Sequence, residues 1–348
     1  MSKVLVTGGG GFLGQHIVEQ LAARGDQVRT FGRNRYQELE RWNVEQFQGN
    51  LCSREDVFAA CTNIDTVFHT AAIPAITCQW KPFYETNIIG TQNVIHACLE
   101  NGVKKLIYTS SPCVVFDGKE KNGVDESVPY PDRWLAHYPH SKAVAEKMIL
   151  NHNGCKGLLT CSLRPHLIWG PGDKNLIPRL LERALSGHLH RVGDGTNLVD
   201  TIYVDNAAEA HLQAADALAA GSPVAGSAYF LSQGDPVNCW KWIDELLDLA
   251  GLPPVRKAVS LNHAWIVGTF LEKVYTFCRF TGEPVMTRFL ATQLALSHWF
   301  DISRAQRDFG YTPTVSTTEG MHRLRQYFQE LEINKTVRRT CPTEETRH

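Results

Sequence analysis

Two short segments carry side chains that could exchange a proton with a substrate. Tyr138 and Lys142 are four residues apart, which puts both on one face of a helix, one turn from each other. A tyrosine hydroxyl titrates near ~10, and a nearby ammonium lowers that pKa toward the range useful for general acid–base catalysis. The second segment, Thr109-Ser110-Ser111, ends a predicted strand and offers two hydroxyls that could hold a substrate oxygen.

A glycine-rich turn near the start of the chain supplies the partner for this chemistry. Lys3-Val-Leu-Val-Thr7 predicts a strand, and the amphipathic stretch from Phe12 to Arg24 predicts a helix. Between them, Gly8, Gly11 and Gly14 have the Gly-x-x-Gly-x-x-Gly spacing of a dinucleotide-binding turn, which lets backbone approach a pyrophosphate at the positive end of the helix. Each signal alone is weak, but together and in this order they indicate a nicotinamide-dependent site.

The elements that must position these residues alternate between strand and helix. The apolar, β-branched strands predict an α/β fold with a Rossmann-type, doubly wound parallel sheet. A smaller, helix-rich C-terminal substrate lobe follows. We predict a dinucleotide-binding domain over residues 1–170, a return to it over 198–220, a substrate lobe over 171–333 and a disordered tail over 334–348. The predicted strands are Lys3 to Thr7, Gln27 to Phe31, Val44 to Gln48, Thr66 to His69, Lys105 to Thr109 and Gly157 to Leu163.

Together these segments resemble the extended short-chain dehydrogenase/reductase superfamily, and the resemblance covers the chain from Val4 to about Tyr327. Two further runs, Arg164-Pro-His-Leu-Ile-Trp-Gly-Pro-Gly and Ser297-His-Trp-Phe-Asp-Ile-Ser303, look like its 3β-hydroxysteroid dehydrogenase branch. Within that branch, the sequence is most similar to the bacterial 2-alkyl-3-oxoalkanoate reductases of olefin biosynthesis and to the sterol-4α-carboxylate 3-dehydrogenases (decarboxylating). The resemblance implies an NAD(P)-dependent oxidoreductase that interconverts 3-hydroxy and 3-oxo groups on a hydrophobic, lipid-like or sterol-like substrate.

The resemblance also implies roles for individual residues. Tyr138 would exchange the proton, Lys142 would tune Tyr138 and hold the nicotinamide ribose, and Ser111, rather than Ser110, would orient the substrate oxygen. The residues expected to bind the cofactor are Gly8, Gly11, Phe12, Leu13, Gly14, Arg33, Asn50, Leu51, Ala71, Ala72, Tyr138, Lys142 and Pro165.

The loop after the second strand bears on the choice of cofactor. An NAD-preferring site of this fold usually has an acidic residue there, whereas this chain has Gly32 followed by Arg33 and Arg35. An arginine at this point can form charge-assisted bonds with a 2′-phosphate. The sequence therefore favours NADP(H) over NAD(H), with solvated loop arginines as the alternative interpretation.

The substrate lobe is rich in aromatic residues, which predicts a small hydrophobic ligand. His166, Trp265 and Phe270 are its candidate contacts, with a satisfied core histidine as the alternative for His166. The segment from His263 to Phe280 is heavily apolar and fits a core helix, a lid over the pocket or a peripheral membrane contact. A nucleotide-sugar epimerase or dehydratase of the same superfamily is the closest rival function, and a non-catalytic NAD(P)-binding redox sensor is a remote one.

Composition narrows the class of protein. The chain of 348 residues has a net charge of -1, which gives no electrostatic reason to expect nucleic acid binding. Its ten scattered cysteines have no paired spacing, so we predict reduced thiols, no metal site and a cytoplasmic protein, with peripheral membrane association as the alternative. A homodimer is a further expectation, and we predict neither a signal peptide nor a membrane-spanning segment.

Overall fold

The computed structural model describes residues 2–340, with side chains to Leu331. Its first half contains β1 Lys3–Thr7, α1 Phe12–Ala23, β2 Gln27–Gly32, β3 Glu45–Gln48, α2 Arg54–Ala60, β4 Thr66–His69, α3 Lys81–Phe83, α4 Gly90–Asn101, β5 Lys105–Thr109, β6 Lys121–Val124, α5 His137–Asn151 and β7 Leu159–Pro165. Its second half contains β8 Ile168–Trp169, α6 Leu176–Leu185, β9 Arg191–Val192, β10 Leu198–Val199, β11 Ile202–Tyr203, α7 Val204–Ala217, β12 Ala228–Leu231, β13 Val237–Asn238, α8 Cys239–Leu249, β14 Ala258–Val259, α9 Leu261–Phe277, α10 Arg288–Ala295, β15 His298–Phe300, α11 Ser303–Phe309 and α12 Thr317–Thr340. Short 3₁₀ segments lie at Gln37–Trp42, Pro112–Val115 and Cys155–Gly157, and a π-helix spans Tyr84–Ile89.

The central sheet has seven parallel strands in the order β12-β7-β5-β4-β1-β2-β3. The order reverses between β1 and β4, and ligands of doubly wound sheets bind at such a reversal, outside the carboxyl ends of the strands. The predicted fold class is confirmed. A four-stranded sheet, β13-β10-β15-β6, joins the first half of the chain to the C-terminal region.

Three apolar clusters stabilise the two lobes. Two of them cover opposite faces of the central sheet, one around Ile17 and Tyr229, the other around Val67 and Ile149. The third surrounds Trp242 in the helix-rich lobe. Helix α7 contributes Ala207, Ala210 and Ala214 to the first cluster, and their small side chains allow it to pack closely beside α1.

The chain returns to the sheet further than the sequence predicted, because β12 pairs with β7 beyond the 198–220 segment. Strand β7 begins two residues later than the predicted start at Gly157, since Lys156 and Gly157 have positive φ angles of 49° and 82° that form a turn. The π-helix Tyr84–Ile89 separates α3 from α4.

The tail predicted over 334–348 overlaps the last described helix. Residues 334–340 belong to α12, which runs to Thr340. This stretch contains neither glycine nor proline, so nothing in it breaks the helix, and the first proline is Pro342. The rest of the predicted tail, 341–348, lies outside the described residues. Within residues 2–340, no helix combines the length and the apolar character needed to cross a membrane.

Candidate active site

One cavity of about 670 Å³ lies at the carboxyl ends of the parallel strands, between the two lobes. It contains every residue predicted to bind cofactor and every residue predicted to be catalytic. The predicted residues that line it are Gly8, Gly11, Phe12, Leu13, Gly14, Arg33, Asn50, Leu51, Ala71, Ala72, Ser111, Tyr138, Lys142, Pro165 and His166.

The glycine turn forms one end of the cavity and consists of backbone in close approach. A Cβ on Gly14 would lie 2.2 Å from the Gly8 carbonyl oxygen, and one on Gly8 would lie 2.9 Å from the Ala71 backbone. Gly8 also has a φ of 73°, which favours glycine. Helix α1 begins after Gly11 with no side-chain cap, so the amides of its first turn keep their donors for a ligand anion. These features fit a dinucleotide pyrophosphate.

The cavity continues past β2 to Gly32, Arg33 and Tyr36. The Gln46 side chain holds this loop, because it accepts a hydrogen bond from the Tyr36 amide at 2.8 Å and donates one to the Tyr36 carbonyl at 2.9 Å. Arg33 is exposed at the rim and forms no ion pair within the described residues, whereas Arg35 pairs with Glu40. No carboxylate stands on this loop at Gly32, where an NAD-preferring site would carry one.

Tyr138 and Lys142 lie one turn apart on α5 and both face the cavity. The Lys142 Nζ atom donates to the Thr109 carbonyl at 2.5 Å and sits 4.2 Å from the centre of the Tyr108 ring. Burial lowers the pKa of this ammonium to about 7, although the nearby Cys113 and Glu146 oppose the shift. Lys142 is therefore held at a fixed point with two of its three protons free for other acceptors.

The two candidate serines differ in what they face. Ser110 is buried, and its amide donates to the Leu163 carbonyl at 2.6 Å. Ser111 begins the 3₁₀ segment Pro112–Val115, and its hydroxyl accepts a hydrogen bond from the Cys113 amide at 3.4 Å. The Ser111 hydroxyl also lies near enough to Tyr138 to lower the pKa of that phenol by hydrogen bonding. The geometry favours Ser111 as the partner of Tyr138.

The polypeptide alone does not produce the lowered tyrosine pKa expected from the sequence. Burial raises the pKa of the Tyr138 hydroxyl and nearby Cys113 adds to the increase, while only the Ser111 hydrogen bond opposes it. The expectation omitted the desolvation that encloses the ring. A cationic nicotinamide beside Tyr138 would supply the opposing charge.

Two buried networks support the catalytic helix. The Asn87 side chain accepts from the Ile73 amide at 2.8 Å and donates to the Ser141 hydroxyl at 2.9 Å, which ties the segment after β4 to α5. One turn beyond Lys142, Glu146 accepts hydrogen bonds from Arg164 at 2.6 Å and from Tyr130 at 2.6 Å. The arginine holds the pKa of the buried Glu146 carboxyl below its usual value despite burial. These contacts fix the direction in which α5 presents Tyr138.

The substrate end of the cavity differs from the sequence prediction. Trp265 and Phe270 do not line it, and Phe270 is 65% exposed. Helix α9 packs on α10 through its small residues Ala264 and Gly268, and a Cβ on Gly268 would lie 2.6 Å from the Thr287 backbone. Phe270 is two residues further along, about 200° around the helix from Gly268, so it points away from the cavity.

The cavity walls at this end come from other residues, which the sequence analysis did not select. Phe289 and Gln293 enter from α10, Leu176 from the start of α6, and Ile73 and Ile76 from the segment after β4. His166 follows β7 and also faces the cavity. Phe289 and Gln293 are four residues apart, which puts them on one face of a helix. This spacing is the sequence pattern that could have indicated α10 as a wall of the cavity.

Comparisons with known proteins are consistent with this geometry. Residues 5–261 match the 3-beta hydroxysteroid dehydrogenase/isomerase family. The chain belongs to this family. A 2-alkyl-3-oxoalkanoate reductase of Stenotrophomonas maltophilia is 46% identical over 326 residues, covering 93% of this chain and 98% of the relative. A decarboxylating sterol-4-alpha-carboxylate 3-dehydrogenase of Homo sapiens is 37% identical, covering 94% of this chain and 89% of the relative.

Solved structures extend the likeness to the wider superfamily. MoeE5 in complex with UDP-glucose and NAD superposes with a TM-score of 0.72 at 26% identity, covering 95% of this chain and 99% of that structure. The predicted resemblance to the 3β-hydroxysteroid dehydrogenase branch is confirmed. The protein is an NAD(P)-dependent dehydrogenase or reductase that acts on CH–OH and C=O groups, as its named family relatives are. Within residues 2–340, no group of three or more histidine, cysteine or acidic side chains could hold a metal ion.

Proposed function

We propose that this family member is an NADP(H)-dependent reductase of hydrophobic 2-alkyl-3-oxo acids. The observation that carries the proposal is a single cavity that joins the uncapped start of α1 to Ser111, Tyr138 and Lys142. The relatives named 2-alkyl-3-oxoalkanoate reductases, which match nearly the full chain, support the substrate class.

Pro165 lines the cavity where a nicotinamide would be held, and that group would supply the hydride, while the side chains of the protein act on the substrate oxygen. Ser111 donates a hydrogen bond to the substrate carbonyl, which polarises it and fixes its orientation. Tyr138 gives its proton to that oxygen as charge develops. Lys142 stabilises the phenolate that remains, because its cationic form lies one turn away on the same face of α5.

The lining of the substrate end supports an apolar ligand. Phe289, Leu176, Ile73 and Ile76 offer hydrocarbon to whatever occupies it. Arg33, beside the nucleotide loop, and Lys142, at the catalytic centre, are the two lysine or arginine residues among the lining positions described. A nucleotide-sugar needs further cations for its own diphosphate, so this lining argues against an epimerase or dehydratase.

The charge of the nucleotide loop supports the cofactor assignment. Arg33 can pair with a 2′-phosphate, and Gly32 brings no carboxylate to repel it. Asn50 and Leu51 border the same region, where Asn50 Oδ1 accepts from the Cys52 amide at 3.0 Å. We propose NADP(H) as the preferred cofactor and NAD(H) as the weaker one.

Three assays of the purified protein test this function. The first supplies NADPH with a long 2-alkyl-3-oxo acid, the second supplies NAD⁺ with a sterol 4-carboxylate, and the third supplies NAD⁺ with a uridine-diphosphate sugar. We expect the largest kcat/KM in the first. Fastest turnover of the sterol would change the substrate within the family, and turnover of the sugar alone would overturn the proposal.

An exposed apolar face on α9 suggests how such a substrate reaches the cavity. Ile266, Phe270 and Phe277 lie on this face, and Phe277 is 89% exposed. Lys273 and Arg279 are exposed beside them. We propose that this α9 face makes a peripheral contact with an anionic lipid surface, since apolar side chains flanked by basic ones suit that interface.

Vesicle sedimentation tests the lipid contact. Vesicles that contain phosphatidylglycerol should bind the protein more tightly than pure phosphatidylcholine, and Phe270→Ser with Phe277→Ser should weaken binding at least ~10-fold. Phe58→Ser, which changes an exposed phenylalanine on α2, serves as the matched control. Equal binding by the double variant and the unaltered protein would show that the α9 face does not contact the lipid surface.

A further inference from the structure

Two buried histidines from different lobes meet at the substrate end of the cavity. His166 follows β7, and His298 lies on β15. Their rings are nearly parallel, with an interplanar angle of 6° and centroids 4.8 Å apart, and His298 Nδ1 is 2.8 Å from His166 Nε2. His298 Nε2 is in turn 2.8 Å from the Gln293 carbonyl oxygen. The two rings therefore form one hydrogen-bonded chain that ends on a backbone carbonyl.

The carbonyl fixes the direction of every proton in this chain. Because the Gln293 oxygen only accepts, His298 Nε2 must carry a hydrogen, and in a neutral ring its Nδ1 is then an acceptor. His166 Nε2 must therefore donate to it, which leaves His166 Nδ1 as a bare lone pair. This atom is buried without a partner among the described residues, on a ring that is 7% exposed and lines the cavity.

The 2-alkyl-3-oxo acids and the sterol 4-carboxylates both carry a carboxylate, which would lie at the substrate end of the cavity. In a 3-oxo or 3-hydroxy acid, the carboxylate is attached to the carbon that neighbours the reacting carbon. The lysine and arginine side chains that line the cavity, Arg33 and Lys142, are committed to the nucleotide loop and to Tyr138. Among the lining residues described, His166 is the remaining side chain that can become cationic.

We propose that the His166–His298 pair takes up one proton when a ligand carboxylate enters, and that His166 Nδ1–H then donates to that carboxylate. This inference rests on the proposed function and specifies how the acid group is recognised. The proton comes from solvent, and no bond other than the new N–H is formed or broken.

The chain accepts this proton without rearrangement. With His166 protonated, Nε2–H still points to His298 Nδ1 and His298 Nε2–H still points to the Gln293 oxygen, so the new Nδ1–H is the one donor left for a ligand that uncovers this buried atom. Burial lowers the pKa of both histidines, and the nearby His298 ring lowers the pKa of His166 further. The pair is therefore neutral until a negative ligand compensates the charge, and one added proton belongs to the pair as a unit.

Other charged groups packed around the pair must be separated from it. On β6, Lys121 pairs with Asp117 at 2.9 Å. The Asp200 amide donates to the His298 carbonyl at 3.2 Å, and burial raises the pKa of the Asp200 carboxyl to about 7. Lys142 titrates in the same range. Since Asp200 and Lys142 persist in any His166 variant, comparison with the unaltered protein isolates the histidine contribution.

Calorimetry measures the proton directly. The protein with NADPH, which cannot oxidise a hydroxy acid, is titrated near neutral pH with a 2-alkyl-3-hydroxy acid and with its methyl ester, in buffers that differ in ionisation enthalpy. We expect about one proton taken up with the acid and none with the ester. Equal uptake for the two ligands, or none with the acid, would overturn the proposal.

Two substitutions locate the proton. His166→Asn retains a neutral amide near the position of Nδ1 and should abolish the acid-dependent uptake. His166→Phe removes the donor and should reduce the ratio of kcat/KM for a 3-oxo acid to that for its ester by ~10- to 100-fold, the scale of one hydrogen bond to a charged group. His188→Asn, on an exposed histidine, is the control and should leave both the uptake and the ratio unchanged.

The outcomes distinguish this inference from the proposed function. Equal turnover of the 3-oxo acid and its ester by the unaltered protein would leave the reductase standing and remove the histidine pair. Absence of turnover with either would contradict the reductase, while the calorimetric comparison would still report on the pair. Should His166→Phe fail to fold, the measurements on the unaltered protein and on His166→Asn retain the test.

Discussion

The two ends of the cavity are built differently. The glycine turn of the nucleotide end consists of backbone between β1 and the start of α1, within a few consecutive residues around Gly8 and Gly14. The substrate end consists of side chains from segments far apart in the chain, including Phe289 on α10 and Leu176 on α6. A backbone site requires small residues at fixed spacing, which a sequence displays directly, whereas a side-chain site depends on how distant helices pack.

Tyr138 lies where the two ends meet, and its removal should have the largest effect. Tyr138→Phe keeps the ring but deletes the proton donor, so kcat should fall ~10²-fold or more while NADPH affinity changes little. Steady-state kinetics and cofactor titration measure the two quantities. Tyr84→Phe, on an exposed tyrosine outside the cavity lining, is the control. A residual kcat above about a tenth of the parent would assign the proton to another group.

Sequence reasoning succeeded or failed along the same division. The parallel sheet, the glycine turn and the spacing of Tyr138 and Lys142 depend on local patterns, and the structure brings these residues into one cavity. The orientation of Phe270 depends on α9 packing through Gly268 against the backbone before α10, and no local pattern specifies that contact. The pairing of His166 with His298 joins two lobes and was equally invisible to spacing.

Cofactor choice tests the side-chain part of the nucleotide end. Arg33→Ala should weaken NADPH binding ~10- to 100-fold through loss of a charge-assisted bond, and should affect NADH much less because NADH lacks the 2′-phosphate. Fluorescence titration with both cofactors measures the ratio. Arg35→Ala is the matched control, since Arg35 pairs with Glu40. An equal loss of affinity for both cofactors would mean that Arg33 does not bind the 2′-phosphate, and would contradict the preference for NADP(H).

The backbone part of the nucleotide end can be broken with one methyl group. Gly14→Ala would place a Cβ 2.2 Å from the Gly8 carbonyl, so α1 must move away from the turn. Overpacking of this kind costs ~1–3 kcal/mol, and both cofactors should bind ~5- to 150-fold more weakly. Gly282→Ala, outside the cavity lining, adds the same group where nothing lies within 4 Å, and this variant should bind both cofactors normally. Similar affinities for the two variants would mean that the turn tolerates a side chain.

The dependence of affinity on substrate length should give the smallest effect. It also gives the sharpest contrast between α10, which lines the substrate end, and α9, which packs behind it. Each buried methylene contributes ~0.8 kcal/mol, so affinity for 2-alkyl-3-oxo acids should tighten about fourfold per carbon until the cavity is filled. Phe289→Ala should reduce that increment, because Phe289 lines the cavity and is 6% exposed. Phe270→Ala should leave it unchanged in detergent-free solution, because its ring points outward from α9. Inhibition constants for a homologous series of alkyl chains measure both increments. If Phe270→Ala flattened the series while Phe289→Ala did not, the lobe would have to rearrange on binding substrate, and α9 rather than α10 would form the wall of the occupied cavity.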